Sequence, residues 1–238
     1  MSEATRGQGV LYLVGTPIGN LEDLSARAIR VLAEADIVAA EDTRQARKLL
    51  SHLELRKPLT SYHQHSGQGR TAELLRYLKA GRKVALVTDA GMPGVSDPGV
   101  ALVAEAVASG IAVTPVPGPA ALILALAGSG LPTASFVFDG FLPRKPGPRR
   151  RRLETLGLVG VTIVIYESPH RVVVTLKDVA EALGDPLVAV GRELTKLHEE
   201  FLRGKASEVA GLLETRETRD GKLLGEFTVV IASGRRSR

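Results

Sequence analysis

The chain has 238 residues, room for one large or two compact domains, and its 44% hydrophobic and 24% charged residues exclude a disordered protein. It contains no cysteine, which removes disulfides, thiolate nucleophiles and Cys-ligated zinc, and no tryptophan, so its core must be aliphatic. The net charge of +5 is concentrated: Arg144 to Arg152 holds six cations and no acid, the last four residues hold three more, and the remainder is mildly acidic. That placement favours one anionic partner at one place over general stickiness.

In chain order, the stretch 1–9 is polar and lacks the apolar segment of a signal peptide. Short β-branched runs then alternate with helical patterns. Strands are predicted at Val10–Val14, Ile37–Ala40, Val84–Thr88, Ala112–Val116, Ser135–Asp139, Thr162–Tyr166, Leu187–Val190 and Glu226–Ala232. Leu24, Ala28, Val31, Leu32 and Ala35 fall on one helical face, and Leu74, Leu75 and Leu78 repeat the pattern before Gly81. Strands separated by helices predict an α/β fold with mainly parallel sheets, and the lack of strict alternation predicts sheets covered on both faces. The seam Gly128 to Ala134 divides two α/β domains, 1–129 and 130–238. The longest apolar run, Ala120 to Ala127, is far short of the ~20 residues that span a bilayer, so a cytoplasmic protein is expected.

Three turns follow strands in the first half. Gly15-Thr16-Pro17-Ile18-Gly19-Asn20 lets backbone approach a ligand, although its spacing is neither GxGxxG nor a P-loop. Thr88 to Gly99 packs three glycines, two prolines and two aspartates into twelve residues, a stiff loop where parallel sheets bind ligands. Its structural alternative is that Ser96 or Asp97 caps the following helix. Pro117-Gly118-Pro119-Ala120-Ala121 opens a helix with small residues that leave room for a flat ring or for tight packing.

Carboxylates gather at strand ends, at Glu41-Asp42, Glu167 and Glu193, where they serve as acid/base groups, ribose acceptors or a solvated rim. His63-Gln64-His65 has no third ligand at metal-binding spacing, His198-Glu199-Glu200 is not HExxH, and Ser96 does not sit in GxSxG; no metal is expected. The basic stretch, with Arg144, Lys145, Arg149, Arg150, Arg151 and Arg152, can neutralise several phosphates. Arginine at a helix N-terminus opposes the helix dipole, so the run needs some further reason to be there.

Taken in order, GTPIGNLEDLSARA, AAEDTR, DAGMPGVSDPG, PGPAA, GFLPRK, YESPHR and GRELTK resemble the tetrapyrrole methylase family, and more narrowly its branch acting on ribosomal RNA. The resemblance covers Val10 to Ala232. It implies two α/β domains with S-adenosylmethionine (SAM) in a cleft between them, a homodimer, and methylation of the ribose 2′-hydroxyl of a cytidine in the decoding region of 16S ribosomal RNA. By motif, the SAM contacts would be Pro17, Ile18, Asp89, Gly91, Met92, Val95 and Ser96, with Ala120 and Ala121 lining the pocket and Tyr166 closing it. Lys196, Glu193 and Arg171 are the catalytic candidates; Lys196 acts as a base only if burial near Arg192 or Arg171 lowers its pKa. Relatives often carry Thr at Met92, a bulky residue at Gly94 and Lys at Leu224. Some extend beyond the last strand, whereas this chain stops at Arg238, so an RNA contact made there is expected to be missing or replaced. A tetrapyrrole- or diphthine-type methylase and a non-catalytic RNA-binding protein are the competing readings.

Overall fold

The computed structural model describes residues 9–64 and 66–232. The polar stretch before Gly9, His65 and the C-terminal cations, on which parts of the reading above fall, lie outside the described residues. The chain divides into two compact units, Met1–Ala120 and Ala121–Arg238.

The first unit is built on five parallel strands, β1 (Val10–Val14), β2 (Ile37–Ala40), β3 (Leu59–Ser61), β4 (Lys83–Val87) and β5 (Ala112–Val116), in the order β3-β2-β4-β1-β5. Helices α1 (Ala26–Glu34) and α2 (Thr43–His52) cover one face, and α3 (Gln68–Lys79) and α4 (Val100–Ala108) the other. The strand period of two sorts the core: Ala85 and Val87 pack with Val31 and Leu50, Val84 and Leu86 with Leu74 and Leu102. Both faces are therefore covered, which is why these strands read as unbroken apolar runs. Ser25 starts α1 by accepting a hydrogen bond from the Ala28 N–H at 3.1 Å, and Ala28, Val31 and Leu32 form its buried stripe.

Strand order fixes where a site can form. From β1 through β2 to β3 the chain steps towards one edge; from β3 through β4 to β5 it steps back past β1. Right-handed crossovers then send the connections after β1 and β4 to opposite faces, opening a crevice at their carboxyl ends.

The second unit opens with α5 (Ala121–Gly128) and continues through β6 (Phe136–Phe141), α6 (Pro146–Val159), β7 (Thr162–Glu167), α7 (Val172–Leu183), β8 (Leu187–Arg192), β9 (Glu200–Lys205), α8 (Ala206–Asp220) and β10 (Phe227–Ile231). Its strand order is β6-β7-β10-β8-β9. Only β6 and β7 pair in parallel; β10 is antiparallel to β7 and β8, and β9 to β8. The expectation of mainly parallel sheets holds for the first unit and is corrected for the second, where the short connection 193–199 turns the chain straight back beside β8.

The division at Ala120/Ala121 also falls before the seam expected near residue 130, because α5 packs on β7, β8 and β10. Its C-terminal end is pinned to β9. A Cβ on Gly128 would lie 2.5 Å from the Phe201 ring, and the Arg203 guanidinium sits 4.6 Å over that ring while donating to the Ser129 carbonyl. Both cores are aliphatic, Tyr62 and Phe227 being the buried aromatics among the described residues. No described helix is long and apolar enough to cross a membrane.

Candidate functional site

In the first unit the turns after β1, β4 and β5 meet. The Thr16 N–H donates to the Gly91 carbonyl at 2.9 Å, and the Gly91 N–H returns a bond to Thr16 at 3.1 Å. The buried Thr16 hydroxyl donates to the Thr88 carbonyl at 3.1 Å, and the Gly15 N–H to Val116 at 3.2 Å. Gly15 and Gly118 lie backbone to backbone. A Cβ on Gly15 would be 2.7 Å from the Gly118 Cα and 2.6 Å from the Met92 Sδ, and one on Gly118 would be 2.7 Å from the Gly15 Cα. Gly91, at φ +81°, has open space bounded by Ile18 Cγ2 at 3.5 Å and the Pro119 carbonyl at 3.7 Å.

The structure thus brings Ile18, Gly91 and Met92 together with Pro17 adjoining, and adds Gly15 and Gly118. Ala120 and Ala121 are half-buried where α5 begins; Val95 and Ser96 are exposed farther along the β4–α4 loop. This cradle of main chain, which a single added carbon would fill, suits a ligand held by backbone groups.

The same loop is strained. Ser96 has φ +63°, an uncommon conformation for a residue with a side chain, and Gly91, Gly94 and Gly99 all have positive φ. Neither Ser96 nor Asp97 caps α4: the N-cap is Gly99, with no side-chain hydrogen bond, so the capping alternative is corrected. Gly99 is required there, because a Cβ would lie 2.9 Å from Leu86 Cδ2 and φ is +134°.

Carboxylates surround the loop. Asp89 accepts from the Asp42 N–H at 3.1 Å, and its own N–H points to Glu41 Oε2 at 3.4 Å. The Arg44 guanidinium grips Asp42 and holds its carboxyl down at about 2. Burial pushes Glu41 upward, and Asp97 is pushed up to about 7 by burial first and then by the charges of Glu41 and Asp89. Asp97 lines a cavity of about 580 Å³ with Ser96, Tyr62, His63, Gln64 and Glu105. His63 is exposed and lines this cavity, because β3 delivers it to the carboxyl edge of the sheet. Among the described residues no three His, Cys, Asp or Glu side chains are grouped to hold a metal ion.

The loop after β8 is the second unit's strained segment, with Glu193 at φ +51° and Thr195 at φ +68°. Glu193 Oε1 receives both the Lys196 ammonium at 2.9 Å and the Glu226 N–H at 3.0 Å; the Glu193 N–H donates back to the Glu226 carbonyl. Gly225 is needed beside it, since a Cβ there would lie 2.7 Å from Glu193 Cγ. Glu226 Oε2 approaches Lys196 Nζ at 3.3 Å. Burial pulls the Lys196 ammonium down, but the hydrogen bond to Glu193 and the charges of Glu226 and Glu193 outweigh it, and its pKa ends above the usual lysine value. The lowered pKa that a lysine base requires is absent, so the expectation is corrected: Lys196 is a fixed cation.

Arg171 is held internally, donating to the Leu142 and Pro143 carbonyls at 2.9 and 3.3 Å and pairing with buried Glu167 at 3.2 Å. It ties the β6–α6 and β7–α7 connections together. The Tyr166 hydroxyl accepts from the Leu122 N–H at 3.3 Å at the start of α5, and its ring packs edge-on against Phe138, 4.9 Å between centroids.

The basic stretch has the further reason its sequence called for. Arg149 is 3% exposed and pairs with buried Asp178 at 2.5 Å; Arg150 reaches Asp178 and Glu181 on α7, and Arg152 pairs with Asp139 on β6. The run staples α6 to α7 and β6, against the helix dipole. Arg149, expected among the phosphate contacts, is corrected to an interior group, whereas Arg144, Lys145 and Arg151 are exposed.

The model of the tetrapyrrole (corrin/porphyrin) methylases matches residues 10–210. Ribosomal RNA small subunit methyltransferase I of Halalkalibacterium halodurans is 50% identical over 94% of this chain and 76% of its own. The protein of the same name from Thermotoga maritima is 49% identical, over 94% and 98%. Among solved structures, cobalt precorrin-4 methyltransferase superposes with TM-score 0.67 at 18% identity over 94% of this chain and 95% of its own. Diphthine synthase gives 0.68 at 16%, over 94% and 90%, and both likenesses speak to fold alone. The chain belongs to the tetrapyrrole methylase family and, within it, to the group of ribosomal RNA small subunit methyltransferase I.

Proposed function

We propose that the protein methylates small-subunit ribosomal RNA with SAM as donor, at the ribose 2′-hydroxyl of a cytidine in the decoding region, working in the cytoplasm as a homodimer. The observation that carries this reading is the 50% identity over 94% of the chain to a methyltransferase of that name. The glycine cradle at Gly15, Gly91 and Gly118 fits a cofactor held by main chain.

SAM, when bound, supplies an electrophilic methyl on a positively charged sulfur. The residues to hold it are Pro17, Ile18, Asp89, Gly91, Met92, Val95, Ser96, Ala120, Ala121 and Tyr166, and their task is alignment of the methyl with its acceptor. Lys196, locked by Glu193 and Glu226, offers a fixed positive charge for RNA phosphate or for an oxygen losing its proton. Arg144, Lys145 and Arg151 give phosphates a salt-dependent landing site. The homodimer draws support from Val100 and Val107, two turns apart on α4 and 65% and 61% exposed.

Incubation with methyl-labelled SAM and either small-subunit RNA or a porphyrinogen tests the reading. Label on one cytidine ribose is the expected result. Label on the porphyrinogen alone overturns it in favour of a small-molecule methylase, and absence of heat on titrating SAM in a calorimeter favours a non-catalytic binder.

A further inference from the structure

We propose that Asp97 is the general base that takes the proton from the ribose 2′-hydroxyl. The inference rests on the ribose-methylating reading above and assigns it a residue that none of the motif correspondences supplied.

A ribose hydroxyl is a poor nucleophile until its proton begins to leave, and the group that receives it works best with a pKa near the working pH. Lys196 is excluded as that group, because Glu193 and Glu226 hold its proton on. Arg171 is a cation tied to backbone carbonyls. Asp42 is ionised but occupied, both oxygens engaged by Arg44 and one by the α2 N-terminus. Asp89 is anchored to the Asp42 N–H, and Glu41 to the Asp89 N–H. Glu193 is occupied by the Lys196 ammonium and the Glu226 N–H. Of the carboxylates around the β4–α4 loop, that leaves Asp97, which caps nothing and lines the cavity.

Its position is fixed by the stiffness of the loop. The Gly94 N–H donates to the Pro98 carbonyl at 3.1 Å, closing a ring around Ser96 and Asp97, and Ser96 is held at φ +63°. Strain of this kind persists where the surrounding structure over-determines it, as in sites whose groups must stand still. Titratable groups come to Asp97 from each neighbouring element: Glu41 after β2 and Asp89 after β4 act on it through their charges, and His63 after β3 and Glu105 on α4 line the same cavity. Arg44, on α2, offsets Asp89 and not Asp97 directly. Both charges that act on Asp97, those of Glu41 and Asp89, are negative, so a proton arriving on it is welcome. The cavity is lined by polar groups, Gln64, Ser66 and Asp97 among them, together with apolar surface from Val100 and Ala101, a mixture that suits the hydroxyls of a ribose and the flat face of its base.

The step balances simply. The 2′-oxygen forms a bond to the methyl carbon as the carbon–sulfur bond breaks, the bonding pair stays on sulfur, and the proton passes to the Asp97 carboxylate and later to water. No oxidant, reductant or metal is needed.

Single-turnover methylation of small-subunit RNA at saturating SAM, from pH 5.5 to 9, tests it with Asp97→Asn and Glu41→Gln. The wild-type rate should fall about tenfold per pH unit below a midpoint near 7. Asp97→Asn should lose on the order of 10²–10⁴ in rate and lose that limb, with SAM affinity by calorimetry unchanged. Glu41→Gln, which keeps an acceptor for the Asp89 N–H, should move the midpoint to lower pH. A readout independent of turnover is the ¹³C-carboxyl resonance of Asp97, assigned by its absence from the Asn variant, which should titrate near 7. Retention of the limb in Asp97→Asn, an unmoved midpoint in Glu41→Gln, or an Asp97 resonance titrating near 4 overturns the assignment while leaving the methylation reading intact. A wild-type enzyme that fails to methylate the RNA at all overturns the reading beneath it.

Discussion

Replacing Gly15 by alanine isolates the role of the glycine cradle. The added carbon would sit 2.7 Å from the Gly118 Cα, 2.8 Å from its nitrogen and 2.6 Å from the Met92 sulfur. Ordinary contact begins near 3.4 Å, so relief requires the turns after β1 and β5 to part by about 0.7 Å. Met92 can swing its flexible end away, but the Gly118 backbone cannot. Overpacking of this size costs about 1–3 kcal/mol, a fall in Tm of roughly 3–9 °C for a chain of this length. Turns displaced by most of an ångström no longer present their main-chain groups where a ligand needs them, and misplacement of about 1 Å can cost ~10²-fold in rate. SAM affinity by calorimetry should therefore fall at least about tenfold, with the fold retained by circular dichroism. Gly118→Ala should do the same, and the double variant should cost less than the sum, because one parting of the two turns relieves both clashes. Gly69→Ala is the control: nothing lies within 4 Å of its Cβ, so it should stabilise α3 by about 0.5–1 kcal/mol and leave SAM binding alone. A Gly15→Ala protein with unchanged Tm and SAM affinity would refute the cradle.

Arg149→Ala should destabilise the protein by about 3–5 kcal/mol in urea unfolding, because it strips a partner from buried Asp178; a surface-like cost below ~1 kcal/mol contradicts the interior pairing. Arg144, Lys145 and Arg151 changed together to alanine should leave Tm nearly unchanged, weaken RNA binding and flatten its salt dependence by up to about three phosphate contacts, whereas an unaltered slope places them off the RNA path. Lys196→Ala should lower the methylation rate with SAM affinity unchanged, and a wild-type rate removes Lys196 from the reaction. The raised pKa of Asp97 means that its favourable contribution to folding is complete below its unfolded pKa and is lost as pH rises through about 7. Tm should thus decline between pH 5 and 8 more in the wild type than in Asp97→Asn, by an amount that solvent screening keeps small; parallel curves contradict the shift.

Much of the fold was legible because α/β units announce themselves locally. The capping Ser25 and the stripe Ala28, Val31 and Leu32 specify α1 by short-range chemistry, and unbroken runs such as Val84 to Val87 signal strands covered on both faces. The edge strands escaped notice. Leu59–Ser61 is three half-buried residues, and Glu200–Lys205 turns only Leu202 fully inward, so neither carries the periodicity of a core strand. The strand Phe227–Ile231 was legible within the predicted Glu226–Ala232, but its antiparallel direction was not, since pairing direction is set by tertiary placement and not by the run itself.

At the site, motif order placed Ile18, Gly91 and Met92 together, but Gly15 and Gly118 matter through a contact about a hundred residues apart in sequence. Charge counting overstated the basic run, because the acids that answer it, Asp139, Asp178 and Glu181, arrive from β6 and α7. Asp97 looked like a helix cap from its place before a helical pattern. Only the backbone, with Gly99 at the N-cap, reveals its carboxylate as uncommitted.

The most direct test of the whole account is mass-spectrometric mapping of methyl groups on small-subunit ribosomal RNA treated with the purified protein and SAM bearing a ¹³C-methyl. The account predicts one labelled nucleotide, a cytidine in the decoding region carrying the label on its ribose 2′-oxygen. Label on a base, on several scattered riboses, or on no nucleotide at all would contradict it.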